Sequence, residues 1–182
     1  MMMQLAHRAF PSCLEQESKA LDQVLGQLSQ AREAMHRFIE VRVGGEELVI
    51  PYRIYDQGYE VVFDHLTETQ SILYSCLLTR HHDGHMRQRH LERILSVREP
   101  WVVPFVVQLM GEYVIQILET VEAHLPTLDP ALYGRFIRDN QVYFQTTHAR
   151  MISYWDCYYR RLYKYPSEYV GFRVFAKLCE FP

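Results

Sequence analysis

Four cysteines, Cys13, Cys76, Cys157 and Cys179, are all that this chain of 182 residues contains, and no two of them stand in a C-x-x-C or zinc-ligand spacing. That scarcity argues against a disulfide framework, a structural metal and a redox motif, and it leaves reduced thiols in a cytoplasmic protein as the expectation. Long hydrophobic runs are missing too. The most apolar stretch, WVVPFVVQLMGEYVIQILE at residues 101–119, is interrupted by Pro104, Gln108, Glu112 and Gln116. A carboxylate in the middle of a membrane span costs several kcal/mol, so no membrane partner is expected. The first residues lack a charged segment followed by an apolar one, so no secretory signal is read there. No G-x-S-x-G elbow is present, and Gly44-Gly45 lacks the Lys and helix start of a phosphate loop. No cofactor is expected. Without a low-complexity segment or a long linker, the chain reads as a single helical domain over 1–182, with 1–66 as an N-terminal helix plus a hairpin arm.

What is present is an ordinary globular composition, 48% apolar and 23% charged, with an uneven distribution of charge. Residues 1–134 carry −7 and residues 135–182 carry +4, which together make the net −3. Tyrosine is abundant, and eight of the thirteen fall between 133 and 169.

The periodicity predicts an all-α fold, an irregular bundle or stack of six to seven helices, with a small β-hairpin arm near residues 41–55. A capping box at Ser12 and Glu15 predicts a helix from about 13 to 40, with Leu21, Val24, Leu25, Leu28, Met35, Phe38 and Ile39 on its inner face. Gly44-Gly45 then supplies the positive φ of a tight hairpin turn, and Pro51 ends the second strand or confines it to an edge. Thr67 and Gln70 repeat the capping-box spacing ahead of a helix to about Thr79. Asp83 caps the next one, which buries Leu91, Ile94 and Leu95 and leaves Arg87, Arg89 and Arg93 near water.

Residues 101–119 read as one helix opened by Pro100, roughly 30 Å long, with Gly111 admitting a neighbour closely. Gln108, Glu112 and Gln116 make a polar stripe on it, and a buried Glu112 requires a partner such as Arg138 or Arg150, or else lines a groove. Asp129-Pro130 starts a further helix. Another is predicted over about 147–164 with Ile152, Trp155, Tyr159 and Leu162 inward, and a last one follows Pro166-Ser167 with Val170, Val174 and Leu178 inward.

The segment RHHDGHMRQRHLERIL, followed by WVVPFVVQLMGEYVIQIL, resembles the HEAT-type helical repeat. Asp83 holds the turn position, Met86-Arg87 the apolar-basic pair, Leu91 and Leu95 the packing positions and Pro104 the repeat-opening proline. The resemblance implies protein binding on a stacked-helix surface.

Two surfaces are candidates for function. The aromatic-basic run RMISYWDCYYRRLYKYPSEYVGFRVF combines the residue types that anchor protein interfaces, and Tyr154, Tyr158, Arg161 and Tyr165 are its partner-binding candidates. A charge of only +4 on this part weighs against nucleic acid. This reading is of a non-enzymatic module, an adaptor or an immunity-type inhibitor, whose partner is another protein. The alternative is a metal-dependent hydrolase centred on His81, His82, Asp83 and His85, since imidazole with carboxylate is a transition-metal ligand set. His82-Asp83 also resembles the paired ligands of HD-domain phosphohydrolases, which implies an earlier His and a later Asp, with His65 and Asp139 as the candidates.

Overall fold

A computed structural model describes residues 5–28, 37–55 and 60–182, and the chain divides into two compact units, residues 1–93 and 94–182. The described residues are mostly helical, with nine α-helices and one two-stranded antiparallel hairpin. Six to seven helices is therefore too low a count. A short first helix carries no periodic signal of its own, and the apolar run 101–119 forms parts of two helices rather than one.

In the first unit, α1 (Leu5–Ala9) lies against α2 (Glu15–Leu28). Five residues are too few to hold a helix alone. Asp22 of α2 supplies the missing tie, its two carboxylate oxygens accepting the N–H groups of Ala6 and His7, each at 2.9 Å. The Ser12–Glu15 box does not organise this start, because the Ser12 N–H donates to Glu46 Oε2 at 2.8 Å and α2 begins at Glu15 itself. Leu21 is buried as predicted, and Met35 lies outside the described residues.

The hairpin pairs β1 (Phe38–Val43) with β2 (Glu46–Pro51) in the register Val41 to Leu48. Phe38 and Ile39 therefore belong to a strand and not to the preceding helix. The alternation that places Val41, Val43, Leu48 and Ile50 on one buried face is a period of two, which a helix cannot satisfy. Gly44 and Gly45 stand at φ 60° and 88°, both positive as a type I′ turn demands. Pro51 closes β2, and α1 packs on that strand.

The capping box of α3 (Glu68–Leu78) is complete, with Thr67 Oγ1 accepting from the Gln70 N–H and Gln70 Oε1 from the Thr67 N–H. Its last six residues are all buried. Ile54 then bridges to His81, and α4 (Gly84–Ile94) follows with the unit boundary in its last turn.

The second unit holds α5 (Val103–Leu109), α6 (Ile115–His124), α7 (Pro130–Asp139), α8 (Gln141–Tyr154) and α9 (Val170–Cys179). Pro104, not Pro100, occupies the first turn of α5. The run 101–119 breaks at 110–114, where a Cβ on Gly111 would lie 2.9 Å from Thr147 Cγ2 and 3.1 Å from its carbonyl oxygen. Gly111 does admit a neighbour closely, and the chain turns there.

The polar stripe is thus not one helical face. Gln108 in α5 and Glu112 in the turn are 2% and 3% exposed, and Gln116 in α6 faces solvent. Glu112 is engaged and not free, while Arg138 is exposed.

Asp129 caps α7 by accepting the N–H groups of Ala131 and Leu132. The inner face of α8 is Phe144, Thr147 and Met151, continued by Trp155, a spacing of three and four. Ile152 and Leu162, read as inward from sequence, point outward. Val170, Val174 and Leu178 of α9 are buried as predicted. Arg173 of α9 makes a two-pronged pair with Glu122 of α6, at 2.6 and 2.9 Å.

Candidate functional site

The aromatic-basic segment owes its shape to a widened turn. After Tyr154 the chain forms a π-turn over Trp155–Tyr159, closed by the Arg160 N–H donating to the Trp155 carbonyl at 2.8 Å. Such single turns insert one extra residue into a helix, and they concentrate at functional sites. Trp155 goes inward, meets Phe172 edge-on at 5.1 Å, and donates its indole N–H to the Tyr163 carbonyl at 2.9 Å. That bond satisfies a carbonyl past the helix end. Arg160 lies 5.6 Å over the indole and pairs with Asp156 at 2.7 Å.

Tyr159 donates its hydroxyl to the Tyr113 carbonyl at 2.6 Å, which ties the 110–114 turn to the π-turn. Tyr113 consequently joins Tyr154 and Tyr158 in one outward cluster, with ring centroids 5.9, 6.4 and 6.1 Å apart. Tyr113, Tyr158, Leu162 and Tyr165 are 48%, 65%, 77% and 57% exposed, values that place large apolar groups in water. Arg161 is exposed on the same chain segment, and the Lys164 ammonium sits 5.6 Å from the Tyr165 ring.

Of the four predicted partner residues, Tyr154 and Tyr158 touch, and Arg161 and Tyr165 follow on the same exposed segment. Tyr113 and Leu162 escape a sequence reading. Tyr113 lies 41 positions before Tyr154 in the sequence and joins it only through the fold. Leu162 fits an inward helical spacing that the π-turn shifts.

Behind this surface Tyr159, Tyr163 and Tyr169 form a second layer, with Tyr159 stacked on Tyr169 at 5.3 Å. Burial, then Tyr159 and Tyr163, push the Tyr169 phenol well up, and burial raises Tyr159 as well. Both keep their protons through the neutral range, so this layer supports the outer rings as packing.

The HHDGH segment is differently employed. Asp83 accepts the His85 N–H at 2.8 Å and caps α4, and that bond, ahead of the nearby imidazoles, holds its carboxyl below the usual range. His81 is buried, with its Nδ1 accepting the Asp83 N–H at 3.1 Å. The His82 N–H donates to the Ile54 carbonyl, and its ring stacks on Tyr55 at 5.6 Å. These contacts spend the segment on turning the chain from α3 into α4. Among the described residues no three His, Cys, Asp or Glu side chains are grouped to hold a metal ion. His65 and Asp139 are both exposed.

Arg87 is a correction to the sequence reading. It is 1% exposed, because its Nη1 donates to the His81 and His82 carbonyls at 2.9 and 2.8 Å, where α3 has ended and those carbonyls have no helical partner. Arg89 and Arg93 do face water.

Further along α4, His90 is buried against Phe63, with Nδ1 3.3 Å from Ser75 Oγ. Burial, then Arg93 and Arg89, pull its pKa down to about 3. The ring is neutral in the folded protein.

A concavity of about 380 Å³ beside α1 and β2 includes Arg8, Glu15, Glu46 and Glu47. Glu15 pairs with Lys19, Glu47 with Arg42, Glu46 holds the Ser12 N–H, and Arg8 covers Phe38. Its charges are engaged within the first unit.

No helix among the described residues is long and apolar enough to cross a membrane. No protein-family model, curated protein or solved structure matches the chain.

Proposed function

We propose that this chain is a protein-binding module without catalysis of its own, an adaptor or an immunity-type inhibitor acting inside the cell. The observation that carries the reading is the outward cluster of Tyr113, Tyr154 and Tyr158, with Leu162 and Tyr165 exposed on the chain segment that follows it. Large rings already in contact with one another have less side-chain freedom to lose on binding, and contiguous exposed apolar surface marks interaction sites. Tyrosine and arginine are also the types that dominate interface energetics. The resemblance of residues 80–118 to a HEAT-type repeat points the same way, toward binding through helices.

Photo-crosslinking in the native host tests this. A benzoyl-phenylalanine at position 158 or 162 is expected to trap a protein partner, and the adduct is expected to vanish when Tyr113→Ala is added. The same probe at Val142, which is 78% exposed on α8, serves as the control. Equal trapping at 142, or none at 158 and 162, overturns the proposal.

A further inference from the structure

The charges around the tyrosine cluster narrow the class of partner. Residues 94–182 as a whole hold nine basic and nine acidic side chains, yet the stretch 157–165 holds three basic and no acidic ones. Arg160 is answered by Asp156 at 2.7 Å. Arg161 is exposed, and the charge of Lys164 meets a tyrosine ring rather than a carboxylate. Glu168 accepts the Tyr165 N–H at 3.0 Å, and Glu119 acts on the inner phenols of Tyr159 and Tyr169.

We infer that the occupant of this surface is an acidic protein segment bearing an aliphatic or aromatic anchor, a statement that rests on the protein-binding reading above. Arg161 and Lys164 take its carboxylates, and Tyr158 with Leu162 takes its anchor. Complementary charge of this kind speeds encounter and excludes wrong partners. A second copy of the chain fits poorly, because a two-fold contact sets the same patch against itself and brings Arg161 and Lys164 of both copies together. Single-stranded nucleic acid also carries negative charge, but its bases stack on open aromatic faces. Here Tyr154 and Tyr158 stack on each other at an interplanar angle of 25°, and the most exposed apolar group of the 157–165 stretch is the aliphatic Leu162.

Selection of phage-displayed random 16-residue peptides against the full chain tests the inference, with the selected peptides then measured by fluorescence anisotropy. Peptides of net negative charge with at least one large apolar residue are expected. Their affinity is expected to fall about tenfold or more in the double variant R161E/K164E, and again in Tyr158→Ala, and to weaken as salt rises. The lysine-for-glutamate counterpart of each peptide should not bind. Circular dichroism of each variant matching the parent confirms that the loss is local.

Selected peptides that are neutral or basic, or acidic peptides indifferent to R161E/K164E, overturn the inference. Tighter binding of a 12-nucleotide oligo-dT, or dimerisation of the free chain lost in Tyr158→Ala, overturns it in favour of nucleic acid or of a second copy. Neutral peptides that still require Tyr158, together with crosslinking at 158, leave the protein-binding reading standing and remove only the acidic class. The absence of both removes the two together.

Discussion

At the scale of single residues, His90 and Thr67 make opposite kinds of prediction. His90 titrates near 6.5 when unfolded and near 3 when folded. Between those values the unfolded chain binds the additional proton, so stability rises with pH. The contribution is intact above about pH 6.5 and is lost as pH falls toward 3, by up to about 1.4 kcal/mol per pH unit. Urea unfolding at pH 7, 5.5 and 4 is expected to show this slope, and His90→Asn is expected to flatten it. Thr67 is exposed, and what its side chain adds at the start of α3 is one hydrogen bond, Oγ1 accepting the Gln70 N–H at 3.2 Å. Thr67→Ala is expected to cost about 1 kcal/mol at any of these pH values, read as a shift in the urea midpoint with no change in its slope.

Elements meet through glycines in two different ways. A Cβ on Gly171 would lie 2.6 Å from Met151 Sδ and 2.8 Å from Tyr169 Cε1, so α9 approaches α8 as closely as it does only because nothing projects there. Gly171→Ala is expected to destabilise by about 1–3 kcal/mol through overpacking. Shortening the facing side chain, Met151→Ala, is expected to recover part of that loss, and a double-mutant cycle measures the coupling. Gly45 has open space around its Cβ position but stands at φ 88°. Gly45→Ala is expected to cost about 1 kcal/mol from backbone strain alone, and no second substitution nearby should recover it.

For the whole molecule, the exposed apolar groups cost little to remove. Tyr158 and Leu162 are 65% and 77% exposed, whereas Leu118 is fully buried. The pair Tyr158→Ala with Leu162→Ala is expected to shift stability by less than about 0.5 kcal/mol, against about 2–5 kcal/mol for Leu118→Ala. Thermal unfolding checks both, and the double variant should at the same time lose the acidic peptides that the parent binds. A large destabilisation from Tyr158→Ala with Leu162→Ala would mean that the surface serves the fold.

Local chemistry was legible in the sequence. The Thr67–Gln70 box, the Asp129 cap, the turn at Gly44-Gly45 and the stop at Pro51 each depend on a few consecutive residues, and each stands where their order requires. The mostly helical character, the hairpin and the Val170, Val174 and Leu178 stripe followed from periodicity in the same way. What the tertiary structure alone decided involves residues far apart. Gly111, in the break at 110–114, lies close against Thr147, and the burial of Arg87 answers carbonyls stranded beyond α3. The outward turn of Tyr113 follows from a hydroxyl 46 positions away. Periodicity names a face but not the neighbour that meets it, and here the neighbour determined where a glycine was needed, which cation was buried and which tyrosines reached the surface.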